Sequence, residues 1–167
     1  MNETSQTATN KIIHFKNLKK MENIKTTSEP IVVEQTFNAP VEKVWSAITR
    51  KDEMKQWYFL LTEFKPEVGF GFQFYGGTET KQYLHSCIIT EVIPNKKISY
   101  TWKYDGYAGN SLVTFELFPE ENQTSLKLTH EGLETFPSDN PDFARHNFVE
   151  GWNQIIKTSL KDYLEKK

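Results

Sequence analysis

Seven apolar side chains near the C-terminus constrain this chain more than any other feature. Phe148, Trp152, Ile155, Ile156, Leu160, Tyr163 and Leu164 stand at i, i+4, i+7, i+8, i+12, i+15 and i+16, which places them on one stripe of a long α-helix. Lys157, Lys161 and Glu165 take the opposite face, and Lys161, Lys166 and Lys167 suit the negative end of the helix dipole. Upstream, Pro137-Ser138-Asp139-Asn140-Pro141 supplies cap candidates, with Pro141 suited to the first helical position. A helix with one apolar stripe needs a partner surface of the same kind, and the rest of the chain has to provide it.

That surface is written in short alternating segments. Ile31–Phe37 is β-branched and apolar and stops at Asn38-Ala39-Pro40. Val41, Val44, Trp45 and Ile48 then fall at helical spacing, and a second short helix over residues 52–56 leads to Trp57. Phe70, Phe72 and Phe74 alternate up to Gly76-Gly77, and residues 83–92 read as a long strand closed by Pro94-Asn95. Both faces of that strand carry apolar residues, so alternation leaves its inward face open. Ile98, Tyr100 and Trp102, then Val113, Phe115 and Leu117, then Leu126, Leu128 and His130 keep the period of two that marks half-buried strands. Asp105-Gly106, Gly109-Asn110 and Pro119-Glu120-Glu121-Asn122 punctuate them. The expectation is an α+β fold: a curved antiparallel sheet of about six to seven strands, two short helices, and the long C-terminal helix over the sheet's apolar face.

Residues 1–30 differ from the rest. They are polar, carry Lys11, Lys16, Lys19, Lys20 and Lys25, and end at Ser28-Glu29-Pro30. They are expected to form a flexible extension, a basic arm for a partner or membrane surface being the alternative, with the folded domain over 31–167. Met21 is a candidate alternative translation start. A net charge of −2, from 20 basic and 22 acidic residues, gives no global field to attract nucleic acid. The single cysteine, Cys87, excludes an intrachain disulfide and suits a reducing compartment. No segment reaches the about 20 apolar residues of a membrane span, and the first thirty residues hold no apolar run of signal-peptide length. A cytoplasmic monomer or homodimer is expected.

Several of these segments also carry a resemblance. Thr36-Phe37-Asn38-Ala39-Pro40-Val41-Glu42-Lys43-Val44-Trp45 resembles the opening of the START-like (SRPBCC, Bet v 1-like) superfamily, where a strand runs into an A-P-x-x-x-V-W helix start. Trp57-Tyr58, Glu91-Val92-Ile93-Pro94 through Tyr100-Thr101-Trp102, Leu128-Thr129-His130-Glu131-Gly132 and Gly151-Trp152 follow in order. Over residues 31–165 the chain is similar to the AHSA1-like domains, named after the activator of Hsp90 ATPase homologue 1. The resemblance implies a helix-grip fold enclosing a cavity, and a carrier or sensor of a hydrophobic or aromatic small molecule. Two other roles exist under the same resemblance: an enzyme of cyclase or hydrolase type on an aromatic substrate, and a chaperone-linked interaction module. Residues 1–30 do not resemble the separate chaperone-binding domain of eukaryotic Hsp90 activators.

Chemistry-bearing motifs are sparse. Gly69-Phe70-Gly71 lacks the third glycine of a dinucleotide loop and precedes a strand, and no Gly-x-Ser-x-Gly or phosphate-binding Gly-Lys-Ser/Thr occurs. Cys87 reads as a buried thiol rather than a nucleophile beside His85 or His130. His146 and Glu150, four apart on the helix, offer two metal ligands without a third. No catalytic residue, metal or cofactor is assigned. His130 can orient a ligand, act as acid–base with Glu131, or serve as a hydrogen-bonded histidine at the sheet end. The aromatic share is 14 %, with 12 Phe, 7 Tyr and 4 Trp, and such side chains either fill a core or line a cavity. Given the resemblance, the candidate ligand-binding residues are Trp57, Phe72, Phe74, His85, Tyr100, Trp102, Phe115, His130, Phe148, Trp152 and Ile156.

Overall fold

β1 (Ile31–Phe37) buries Ile31, Val33 and Phe37 and exposes Val32 and Glu34, so one face of the strand is committed to the interior. The computed structural model describes residues 29–166; apart from Glu29 and Pro30, the expected extension and Met21 lie outside the described residues. After β1 the chain turns into α1 (Val41–Thr49) directly behind Pro40, then through Arg50 into α2 (Lys51–Trp57). α1 buries Val44, Ala47 and Ile48, and the Trp57 indole N–H donates to the Ala47 carbonyl at 2.9 Å, stapling the two helices together.

Five more strands follow: β2 (Gly71–Gly77), β3 (Gln82–Ile93), β4 (Lys97–Tyr104), β5 (Ser111–Glu120) and β6 (Gln123–Glu131). All neighbours are antiparallel, in the order β1-β6-β5-β4-β3-β2, with Ile31 opposite His130 and Phe74 opposite His85. Asn95 and Glu121 take positive φ in the β3–β4 and β5–β6 turns. The ambiguous strand is resolved by a β-bulge between Ile89 and Glu91. Before it, Tyr83, His85, Cys87 and Ile89 point inward; beyond it the alternation slips, because a bulge inserts one residue into the count.

β6 leaves through Gly132 (φ 90°) and two single-turn 3₁₀ helices, Leu133–Thr135 and Pro141–Phe143. The long helix starts later than its cap candidates suggest. The Asn140 side chain accepts the Asp142 N–H at 3.0 Å, yet it caps only the second short turn, because Ala144 is extended (ψ 142°) and restarts the chain. The helical run then comprises α3 (Arg145–Asn153), a wide-turn π segment (Gln154–Leu160) and α4 (Lys161–Leu164). Phe148, Trp152, Ile156, Leu160 and Leu164 are its buried residues, one every four positions, whereas Ile155 and Tyr163 are only partly buried.

The far end of this run is tied to the first helices. The Lys43 ammonium donates to the Leu164 carbonyl (2.9 Å), the Tyr163 hydroxyl to Glu53 (2.9 Å), and the Asn38 N–H to Glu165 (3.0 Å). The near end lies beside the β2–β3 hairpin. Among the described residues no helix is long and apolar enough to cross a membrane.

Candidate functional site

The inner face of the sheet meets the helix through aromatic rings. Tyr58 and Phe59, in the irregular segment after α2, fold back over that face. Phe59 stacks on Phe74 with centroids 4.3 Å apart, and Phe74 stacks on His85 at 4.4 Å. Trp102 meets Phe74 at 5.4 Å and Trp152 at 5.3 Å, and the Tyr58 and Tyr100 hydroxyls share a 2.8 Å hydrogen bond. Burial holds both of these tyrosines well above the ordinary phenol pKa, so they act as neutral hydroxyls. Rings therefore fill the middle of the space between sheet and helix, and the open volume lies at one end.

There a cleft of about 360 Å³ is bounded by Gly76, Gly77, Thr78, Tyr83 and His85 of the hairpin and by Tyr104 at the end of β4. Asp142, Phe143, Asn147, Phe148 and Gly151 form the helix side, and Phe59 closes the inner end. Gly76 is required for that closure, since a Cβ there would stand 2.9 Å from Phe59 Cε1 and 3.2 Å from His85 Cε1. The Tyr83 hydroxyl donates to Asp142 at 2.5 Å, joining the hairpin to the turn before α3. The Asn147 amide is engaged by the Pro141 and Asp142 carbonyls at 2.9 and 3.3 Å. A larger depression of about 620 Å³ lies over the sheet's outer side chains Gln73, Ser86, Ile88, Thr101 and Lys103. Phe72, Tyr104 and Tyr107 line it, against Phe59, Tyr83, Tyr104, Phe143 and Phe148 around the cleft, and this more aromatic lining makes the cleft the better place to bury a ligand.

The two buried histidines differ in what they leave free. The Ser111 hydroxyl donates to the Trp102 carbonyl (2.9 Å), so it accepts from His130 Nε2–H (2.7 Å), and His130 Nδ1 accepts the Trp152 indole N–H (3.0 Å). Both ring nitrogens are used, and burial lowers the His130 pKa to about 3. Glu131, its neighbour along β6, is exposed on the other face. His85 is also buried, and burial lowers its pKa to about 4 against the partial opposition of the Tyr83 and Phe74 carbonyls. Its Nδ1–H donates to the Tyr83 carbonyl at 3.0 Å, and Nε2 makes no hydrogen bond among the described residues.

A family model for activator of Hsp90 ATPase homolog 1-like protein matches residues 38–165, a span that includes every residue bounding the cleft. The chain belongs to that family. Among solved structures, a protein of Mesorhizobium loti is 29 % identical, covers 83 % of this chain and 98 % of its own, and superposes with a TM-score of 0.66. A Bacillus halodurans protein is 28 % identical over 81 % of this chain and 96 % of its own, with a TM-score of 0.63. CalU16 from Micromonospora echinospora, at 22 % identity, 82 % and 76 % coverage and a TM-score of 0.63, shares the fold. No curated protein matched.

Within this activator-homologue-like fold, His85 and Phe148 are the two of the eleven sequence candidates that line the cleft. Phe72, Phe74, Tyr100, Trp102 and Phe115 lie on the inner face of the sheet and Trp152 and Ile156 on the buried helix stripe, all in the packed interior behind it. His130 is buried there as the sheet-to-helix tie, and Trp57 is the staple between α1 and α2. His146 and Glu150 are exposed, and among the described residues no group of three His, Cys, Asp or Glu could hold a metal ion. Cys87 is a buried free thiol whose pKa burial pushes up. Phe59, Tyr83, Tyr104, Asp142 and Phe143 were not among the candidates. Tyr104 continues the Tyr100–Trp102 alternation by one more step, so a signal for it exists; Phe59 and Phe143 lie outside regular periodicity.

Proposed function

We propose that this chain binds a small hydrophobic or aromatic molecule in the cleft between the β2–β3 hairpin and the start of α3, as a carrier or sensor. The observation that carries this reading is the enclosure itself: Phe59, Tyr104, Phe143 and Phe148 wall one open space that reaches the buried His85. Its volume of about 360 Å³ is at the small end of the range of ligand pockets, which suits a compact molecule. Affinity would come mainly from apolar burial, roughly 25 cal/mol per Å² before ordering costs. A cytoplasmic setting fits the buried free thiol of Cys87, the single cysteine.

Native mass spectrometry of the protein purified gently from its own host tests the reading. A reproducible adduct of defined mass, lost on denaturation, is expected. A clean apo mass, together with no shift of the Gly76, Gly77 or Gly151 amide resonances on adding aromatic probes, removes it.

A further inference from the structure

The cleft's buried wall carries two unfinished hydrogen bonds of opposite sense. His85 is 5 % exposed and its Nδ1–H is committed to the Tyr83 carbonyl, so Nε2 carries a lone pair and faces no donor among the described residues. Tyr104 stands beside it, ring centroids 4.6 Å apart, and is 7 % exposed. The Tyr104 oxygen accepts the Trp102 indole N–H at 2.9 Å, while its own proton has no acceptor among the described residues. One wall of one cleft thus offers, on two largely buried side chains, an acceptor nitrogen open to the cleft and, next to it, a hydroxyl donor.

The donor groups of the cleft's other polar side chains are engaged elsewhere. Tyr83 gives its proton to Asp142, Asn147 is held by two backbone carbonyls, and the Thr78 hydroxyl is bonded within its own turn to Thr80 and Lys81. Lys81 is not among the residues bounding the cleft; its ammonium lies 5.0 Å from the Tyr83 ring centroid and 5.8 Å from that of Tyr107. A hydroxyl is the smallest common substituent on an aromatic ring that donates one hydrogen bond and accepts another through a single atom. An ether or ketone would satisfy Tyr104 alone and leave His85 desolvated and unpaired. A carboxylate would turn its lone pairs toward that of His85 and toward Asp142.

Resting on the ligand-binding reading above, we propose that the cleft selects an aromatic molecule bearing a hydroxyl, which donates to His85 Nε2 and accepts from the Tyr104 hydroxyl. The test titrates 2-naphthol, 2-methoxynaphthalene and 2-naphthoic acid, three ligands on one skeleton, into the full chain by calorimetry. 2-Naphthol is expected to bind at least about tenfold more tightly than the other two, the scale set by a buried polar group left without its partner. In His85→Phe the preference for the naphthol over its methyl ether disappears while both still bind. Tyr104→Phe, which removes only a hydroxyl, narrows the gap in the same direction. Equal binding of the naphthol and the ether to the wild-type chain, or an undiminished preference in His85→Phe, overturns the hydroxyl assignment and leaves the cleft. No binding of any of the three, with no shift at Gly76, Gly77 or Gly151, overturns the cleft reading with it.

Discussion

The indole N–H of Trp152 donates to Nδ1 of His130 across 3.0 Å, so the C-terminal helix is tied to the sheet by a hydrogen bond between two buried rings. Ser111, whose hydroxyl proton goes to the Trp102 carbonyl, completes the chain from the other ring nitrogen. Trp152→Phe leaves the Nδ1 lone pair buried without a donor. The expected loss is about 1–3 kcal/mol for the orphaned acceptor, with a further contribution from the smaller ring. Urea unfolding followed by circular dichroism, with an unchanged m-value, checks it. A variant as stable as the wild type would show that the bond carries little.

The same burial makes the fold acid-sensitive. His130 and His85 have folded pKa values of about 3 and about 4, both below the ordinary imidazole value. As pH falls below about 6.5 the unfolded chain takes up protons that the folded chain refuses, so stability declines until the folded values are reached. Each histidine is expected to cost about 2 kcal/mol between pH 7 and pH 5. His85→Phe should halve the fall in the urea midpoint over that interval. An equally steep fall in the variant would place the pH sensitivity elsewhere.

Period-two and helical spacing made the architecture legible, because the sheet has one buried face and each residue's side follows from its position. Tyr100, Trp102, Phe115, Leu126 and Leu128 point inward as alternation requires. The bulge after Ile89 was not legible, since the extra residue changes face without any change in composition. The cleft end was the least legible. Phe59 and Phe143 sit in irregular segments, where no periodicity says which way a ring turns. His130 and His85 both fall on inward rows, and the sequence does not say that one is saturated by Ser111 and Trp152 while the other keeps a free nitrogen.

Phe59 acts as the inner wall of the cleft and as a filler of the space behind it. Its ring stacks on Phe74, and Trp102 lies 6.3 Å away by centroids. Phe59→Ala is expected to open the cleft toward Phe74 and Trp102, raising the affinity for a three-ring aromatic relative to naphthalene. Because Phe59 is only partly buried, the stability loss should be smaller than the about 3–5 kcal/mol of a core Phe→Ala change. Calorimetric titration of anthracene-sized and naphthalene-sized probes separates the outcomes. Unchanged relative affinity would mean that the rest of the packed interior, not Phe59, limits the cleft.

The π segment gives the helix its register. In an unbroken α-helix each residue turns about 100°, so the buried residues, four apart from Phe148 to Leu164, would drift about 160° around the axis and leave the sheet. The wider turns of Gln154–Leu160 remove that drift and keep Ile156, Leu160 and Leu164 inside. Deleting the exposed Gln154 shortens one step to three residues, and a plain α-helix then carries Leu164 only about 60° from Phe148. The wider turn also rises less per residue, so the deletion shortens the run little and the ties at Lys43 and Asn38 stay within reach. The deletion is therefore expected to fold with a stability within about 1 kcal/mol of the wild type. Inserting one Ala at the same place increases the misfit and should lower the melting temperature by several degrees. If the deletion is as damaging as the insertion, the wide turns are held by contacts other than the four-residue spacing of the buried stripe.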